Sequence, residues 1–199
     1  MNYDEDYTKY QSSRQFHRKF IRNFYLKPIL KQVVGKSIDF GCGIGELLQK
    51  LPYGSIGLEI NKYTVAYCLK KGLNVVLFDP GLDNYDLKSL NEEDGFKTLI
   101  LSHVLEHLDE PQKIIRKLII SAERLGIRKI IIIVPGIKGY NTDKTHKIFI
   151  DKTFFIVNDL CEIGNYKITT EKYFPIDLEF IGKFFTYHEL WVIYARNSK

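Results

Sequence analysis

From residue 36 to 134, strand-length apolar segments alternate with helix-length ones. Glycines crowd the first strand-to-helix junction, and an acidic residue closes each of the first three strands. Together these observations predict an α/β fold: a mostly parallel, doubly wound sheet with helices on both faces. The chain of 199 residues suits one domain around one core. Its 45% hydrophobic and 27% charged residues exclude a disordered chain, a collagen-like fibre and a coiled-coil rod. The 13 Tyr, 13 Phe and one Trp supply bulk for a core.

The elements follow in order. The first dozen residues are polar and Tyr-rich, a lead-in. Phe16, Phe20 and Phe24, with Ile21 and Tyr25 beside them, stand at helical spacing and predict a helix up to Val34 that Pro28 kinks or splits. Ser37–Phe40 reads as a strand, Ile44–Leu51 as a helix and Ser55–Ile60 as a second strand. Lys62–Lys71 reads as a helix closed by Gly72, and Asn74–Phe78 as a third strand stopped at Asp79-Pro80. Residues 81–95 are turn-rich, with a short helix near Tyr85–Leu90. Phe96–Leu101 is a fourth strand. Pro111 then opens a helix with Asp109 as its cap; Ile114, Ile115, Leu118, Ile119, Ala122 and Leu125 form its apolar stripe and Gly126 ends it. Lys129–Val134 is continuously apolar, as a parallel strand covered on both faces must be. Asp151–Ile163 reads as a helix. Tyr166–Phe174 and Phe184–Arg196 read as closing strands with an antiparallel finish. In such a sheet the ligand lies beyond the carboxyl ends of the strands.

The charge of +5 comes from lysines and arginines scattered along the chain, which favours a solvated basic surface over a nucleic-acid face. An anionic small substrate stays compatible with it. The three cysteines, Cys42, Cys68 and Cys161, form no CxxC pair, so neither a disulfide framework nor a zinc ribbon is supported. The polar, acidic start predicts no signal peptide, and the longest apolar run, Ile130–Val134, is too short for a bilayer. The expectation is a cytoplasmic protein without membrane insertion and with reduced thiols.

The strongest signal is Ser37-Ile-Asp-Phe-Gly-Cys-Gly-Ile-Gly-Glu46. Gly41, Gly43 and Gly45 let the backbone turn tightly beside a ligand, and Asp39 can face the crevice. The pattern is G-x-G-x-G rather than the dinucleotide G-x-G-x-x-G. Glu46 would also repel a pyrophosphate at the helix start, so the loop suits a ligand without phosphates. Glu59 closes the second strand, where a carboxylate can accept both hydroxyls of a ribose. Asp79 closes the third, within reach of an adenine amino group.

Asp39-Phe-Gly-Cys-Gly-Ile-Gly45, Glu59 and Ser102-His-Val-Leu-Glu-His-Leu-Asp-Glu-Pro111 resemble successive motifs of class I S-adenosylmethionine-dependent methyltransferases, of the small-molecule O-methyltransferase (type 11) group, over about residues 36–155. The resemblance implies a Rossmann-like seven-stranded sheet of order 3-2-1-4-5-7-6 with strand 7 antiparallel. It implies one domain over 1–199: an N-terminal capping helix region (1–35), a cofactor-binding half (36–135), and a substrate loop with closing strands (136–199). Asp39, Gly41, Cys42, Gly43 and Gly45 would line the methionine part of S-adenosylmethionine, Glu59 and Ile60 the ribose, and Asp79 the adenine. Ser102 and His103 would lie near the sulfonium, and Tyr7, Tyr10 or Arg14 near the cofactor carboxylate.

Candidate catalytic groups fall in two places. His103, Glu106 and His107 share one face if Val104–Leu108 makes a helical turn, or else merely position the loop. The polar loop Pro135–His146 carries Tyr140, Asp143, Thr145 and His146. Its end resembles the segment before the next helix in ubiquinone-biosynthesis O-methyltransferases, which makes His146 the base or orienter for an acceptor hydroxyl. Small-RNA 2′-O-methyltransferases offer a further resemblance. It implies a divalent metal held by His103, Glu106, His107 and His146, and this is the less favoured reading. His17 and His188 read as surface or core-edge residues, Cys42 as packing and Trp191 as core. The leading expectation is methyl transfer to a hydroxyl of a small molecule or a sugar- or lipid-linked precursor. The alternatives are an RNA 2′-O-methyltransferase using a metal, a dinucleotide-dependent oxidoreductase, and a module that kept the fold without the chemistry. Oligomeric state is not legible.

Overall fold

The computed structural model describes residues 24–197 together with Glu5 and Thr8. Within them, residues 24–30 are helical (α1). The strands are β1 (Ser37–Phe40), β2 (Ile56–Glu59), β3 (Val75–Leu77), β4 (Thr98–Ser102), β5 (Lys129–Pro135), β6 (Glu162–Ile163), β7 (Tyr166–Phe174) and β8 (Glu189–Arg196). The helices are α2 (Lys62–Lys70), α3 (Pro80–Asp83), α4 (Pro111–Arg124), α5 (Ile137–Asn141) and α6 (Lys152–Val157).

One sheet runs in the order β3-β2-β1-β4-β5-β8-β7-β6. The first five strands pair in parallel. β8 lies antiparallel between β5 and β7, so β7 runs parallel to β5. This is the expected 3-2-1-4-5-7-6 order, with the two-residue strand β6 added at the edge through a hairpin to β7.

The continuous apolar strands are buried on both faces because alternate residues point opposite ways. Ile130, Ile132 and Val134 of β5 join Leu99, Leu101, Leu190 and Val192 in one layer, beneath Ile115, Leu118, Ile119 and Ala122 of α4 and Phe155 of α6. Ile131 and Ile133 join Ile100, Trp191 and Ile193 in the other, beneath Leu26 and Ile29 of α1 and Val65 and Cys68 of α2. Burying each such side chain stabilises the fold by roughly 2 kcal/mol.

Several expected elements are corrected. Ile44–Leu51 is no α-helix and holds only a 3₁₀ turn at Leu48–Lys50. Gly43 and Gly45 take left-handed backbone at its start, and Leu51 is extended ahead of Pro52. The short helix falls at Pro80–Asp83, not at Tyr85–Leu90. Asp79 caps it and Pro80 opens it, while Asn84, Tyr85 and Leu87 turn left-handed beyond it. Glu110, not Asp109, stands at the N-cap of α4, and Asp109 instead pairs with Lys147 at 2.8 Å. The helix expected over Asp151–Ile163 stops at Val157, and the last strand starts only at Glu189. Residues 24–30 stay helical through Pro28, so no split occurs there.

Candidate active site

A cavity of about 870 Å³ opens at the carboxyl ends of β1, β2, β4 and β5, where the topology predicts a ligand. Its wall is built first from the glycine loop. Gly41 N–H and Cys42 N–H both donate to Leu58 O, at 2.8 and 3.2 Å, which folds the loop back over β2. Gly41 has φ +72° and could not carry a Cβ, which would stand 2.5 Å from Val104 Cγ2. Gly45, at φ +77°, faces Leu73 and does not line the cavity, so its requirement for glycine is one of packing.

Glu59 clasps this loop. Its Oε2 accepts from Gly43 N–H at 2.9 Å and its Oε1 from Asn61 N–H at 2.9 Å. Burial pushes the Glu59 carboxyl up from its ordinary value, against the lowering by those backbone donors. Asn61 caps α2 by accepting from Tyr63 N–H, and its amide reaches Thr8 Oγ1. Asp39, Cys42, Gly43, Ile60, Ser102 and His103 line the cavity. Asp79 does not: its Oδ1 accepts from Gly81 N–H and Leu82 N–H as the cap of α3, and its neighbours Phe78 and Pro80 line the cavity instead. Tyr7, Tyr10, Arg14 and His17 lie outside the described residues.

At the other end, a 3₁₀ turn at Leu105–His107 brings up Glu106 and His107. His103, at φ +58°, bridges two carboxylates: its Nδ1 lies 3.3 Å from Glu106 Oε1 and its Nε2 2.9 Å from Glu189 Oε1. Burial alone would lower the His103 pKa, but Glu106 and Glu189 outweigh it and raise the value to about 9. Trp191 Nε1–H donates to the second oxygen of Glu189.

Loop residues 142–148 close over this turn, with Lys147 N–H donating to Glu106 O at 2.7 Å. Thr145 gives its hydroxyl hydrogen to Asp143 Oδ1 at 2.7 Å, so at 3.0 Å it can only accept from His107 Nδ1. That fixes the His107 tautomer and leaves a lone pair on Nε2. His146 Nδ1 donates to Tyr140 O at 2.8 Å, with the same result. Burial lowers the His107 pKa, and the Thr145 hydrogen bonds overcome burial to lower that of Asp143. Glu106 is fully buried, and neither of its oxygens receives a well-formed hydrogen bond. Ligand atoms of Glu106, His107 and His146 lie within 4.8 Å of one another. The structure therefore joins three of the four residues suggested as metal ligands, while His103 is held between Glu106 and Glu189.

The sequence reading missed Glu189, Tyr25 and Tyr187, all in the cavity wall. Only the antiparallel register Pro135↔Glu189 brings Glu189 to the end of β5. His188 is buried, stacks on Tyr173 and makes a 3.0 Å contact from Nε2 to Ile176 O, a structural role.

Residues 25–145 match the model of the family described as methionine biosynthesis protein MetW. The chain belongs to that family. Among solved structures, this MetW-family chain is similar to a SAM-dependent methyltransferase from Archaeoglobus fulgidus, at 24% identity over 89% of this chain and 92% of that one, TM-score 0.58. It is similar to magnesium protoporphyrin IX methyltransferase from Synechocystis, at 14% identity over 93% and 89%, TM-score 0.60. It is also similar to the small RNA methyltransferase HEN1, at 19% identity over 92% of this chain but 25% of that one, TM-score 0.62. No curated protein matches the chain. These likenesses give the MetW-family chain the class I S-adenosylmethionine-dependent methyltransferase fold, a Rossmann-like sheet. No helix among the described residues is long and apolar enough to cross a membrane.

Proposed function

We propose that this chain is an S-adenosylmethionine-dependent methyltransferase that methylates a hydroxyl of a small molecule or of a sugar- or lipid-linked precursor. The observation that carries the reading is the Glu59 carboxylate, clasped to the glycine loop at the rim of the cavity. There it can accept both ribose hydroxyls while keeping its backbone donors. Gly41–Gly43 and Asp39 would flank the methionine part, with Ser102 and His103 at the reacting end. When bound, the cofactor supplies a methyl group already activated on a sulfonium. The chain's own task is to hold the acceptor oxygen in line and to take its proton. His107 and His146 suit that task, because the hydrogen bond on Nδ1 leaves Nε2 as the accepting atom of each neutral ring. Burial keeps His107 neutral near pH 7. Asp143 acts on His107 through Thr145 and is a positioning residue. Three free cysteines support a reducing compartment such as the cytoplasm.

The test is calorimetric titration with S-adenosylhomocysteine, followed by acceptor screening with hydroxylated compounds. Micromolar binding, about −8 kcal/mol, supports the reading. A folded protein that binds NAD and not S-adenosylhomocysteine would return the assignment to an oxidoreductase.

One observation favours a second, metal-assisted reading, in which the acceptor could also be a ribose hydroxyl of RNA. Glu106, fully buried and paired with His103 at 3.3 Å, forms with His107 and His146 a donor set of one carboxylate and two imidazoles within 4.8 Å that can take a cation. Glu106, His107 and His146 would hold it, and two nitrogen donors favour Zn²⁺, Mn²⁺ or Fe²⁺ over Mg²⁺. The ion would lower the pKa of an acceptor hydroxyl. Metal analysis of purified protein and thermal melting with EDTA and added Mn²⁺ test it. Absence of any shift, with full activity in EDTA, would remove the metal and leave the imidazoles as the proton acceptors.

A further inference from the structure

Two thiols that the methyl-transfer chemistry does not use lie directly beneath the glycine loop. Cys42 belongs to the loop itself, between Gly41 and Gly43, which both have positive φ; Cys68 projects from α2. Both are buried, and both point at one acceptor: Cys68 Sγ lies 3.3 Å from Gly43 O and Cys42 Sγ 3.6 Å from it. The two thiols adjoin each other, so the Cys42 hydrogen can turn to the Cys68 sulfur in place of Gly43 O. The third cysteine, Cys161, is exposed and stands apart from them in β6's approach.

We propose that Cys42 and Cys68 form a reversible disulfide that disables the cofactor site under peroxide. This regulatory role rests on the reading of the glycine loop as the cofactor cradle. In the first step one thiolate attacks a hydroperoxide, the O–O bond breaks, and a sulfenic acid and an alcohol (or water) result. The second sulfur then displaces the sulfenic oxygen, which leaves as water with the second thiol's proton. Two thiols are oxidised to one disulfide and one peroxide is reduced. Peroxide reaches Cys42 first, because Cys42 lines the cavity whereas Cys68 is fully buried and waits beneath it as the resolving thiol.

The consequence follows from the loop's anchoring. A disulfide brings sulfurs to about 2.05 Å, closer than any hydrogen-bonded pair of thiols, and removes both donors from Gly43 O. The pull acts on the residue whose neighbour's N–H holds Glu59, so the clasp on the ribose carboxylate is disturbed with it. Cys42 also lines the cavity. Bound ligand therefore shields it, and ligand and oxidant oppose each other reciprocally.

The experiment uses the full chain carrying Cys161→Ser. Hydrogen peroxide is added, remaining thiols are alkylated, and peptides are mapped by mass; S-adenosylhomocysteine binding is titrated before oxidation, after it, and after dithiothreitol. The expected result is a Cys42–Cys68 linked peptide two hydrogens lighter, at least tenfold weaker binding, recovery on reduction, and slower cross-linking when S-adenosylhomocysteine is already bound. In Cys68→Ala, whatever its starting affinity, S-adenosylhomocysteine binding should be the same before and after peroxide. No cross-link at peroxide levels that fully oxidise Cys161 of the unsubstituted chain overturns the proposal, as does a complete cross-link with unchanged binding. The mapping needs no change at either partner cysteine, so it stands even if Cys68→Ala does not fold. If the reduced protein binds no S-adenosylhomocysteine, the methyltransferase reading fails, while the cross-link is still scored by mass.

Discussion

Replacing Glu59 by Ala should destabilise the protein even with no ligand present. The carboxylate is buried and spends one oxygen on Gly43 N–H and the other on Asn61 N–H, each at 2.9 Å. Charge-assisted bonds of this kind contribute about 1.5–3 kcal/mol each, so the pair brings roughly 3–6 kcal/mol. Burying the charge works against that sum, since burial raises the Glu59 pKa despite both donors. The cavity beside it also lets water reach the freed N–H groups in the variant. A net loss of about 2 kcal/mol remains, which for a chain of this size lowers Tm by about 4–8 °C.

The pH dependence carries a definite sign. A carboxyl whose folded pKa is raised contributes most when protonated, below its ordinary value, and loses that contribution as pH rises through the folded value. The stability gap between parent and Glu59→Ala should therefore narrow as pH rises above about 4.5. Urea unfolding without ligand measures it. Glu59→Gln is no gentle substitute, because its NH₂ must face one of two N–H donors. Coincident urea midpoints for parent and Glu59→Ala would refute the clasp and leave Glu59 with a role in ligand binding alone.

Other expectations follow from the same geometry. In Gly45→Ala a Cβ would stand 2.4 Å from Leu73 Cδ1 at φ +77°. Overpacking and left-handed strain together cost about 2–4 kcal/mol, and adding Leu73→Ala should relieve only the overpacking; strict additivity in a double-mutant cycle would contradict this. Thr145→Val unties His107 Nδ1 from Asp143. It should leave the urea midpoint nearly unchanged while weakening Mn²⁺ affinity by about 10–100-fold if the metal reading holds, or lowering turnover if His107 takes the proton directly. The His103 pKa is raised from 6.5 to about 9, so its contribution, up to about 3 kcal/mol, is complete below pH 6.5 and fades as pH approaches 9. His103→Gln should flatten that slope in urea titrations.

The sheet was legible because its determinants are local and periodic. Lys129–Val134 could only be a strand covered on both faces, and Ile115, Leu118, Ile119 and Ala122 lie buried as their spacing demands. Boundaries failed where a few backbone angles outweighed composition. Ile44–Leu51 has helical composition, but left-handed Gly43 and Gly45 consume the first turn that an α-helix needs to nucleate. Asp79 shows a role that composition did not reveal: standing before Pro80, it caps α3 through Gly81 N–H and Leu82 N–H.

The catalytic end was legible as residue types and not as an arrangement. His103, Glu106, His107 and His146 could all be named, yet only tertiary contacts decide which nitrogen of each ring carries hydrogen. Thr145 and the Tyr140 carbonyl set that choice for His107 and His146. Glu189 does the opposite for His103: it lies 86 positions away, reaches the site only through the β5–β8 register, and turns that histidine into a bridge between carboxylates. Two histidines four positions apart thus receive opposite chemistry from partners that no local pattern connects. His103 holds its proton tightly, whereas His107 is left free to accept one. The division between a charged, locked imidazole and a neutral, available one follows from the closing strand and the substrate loop.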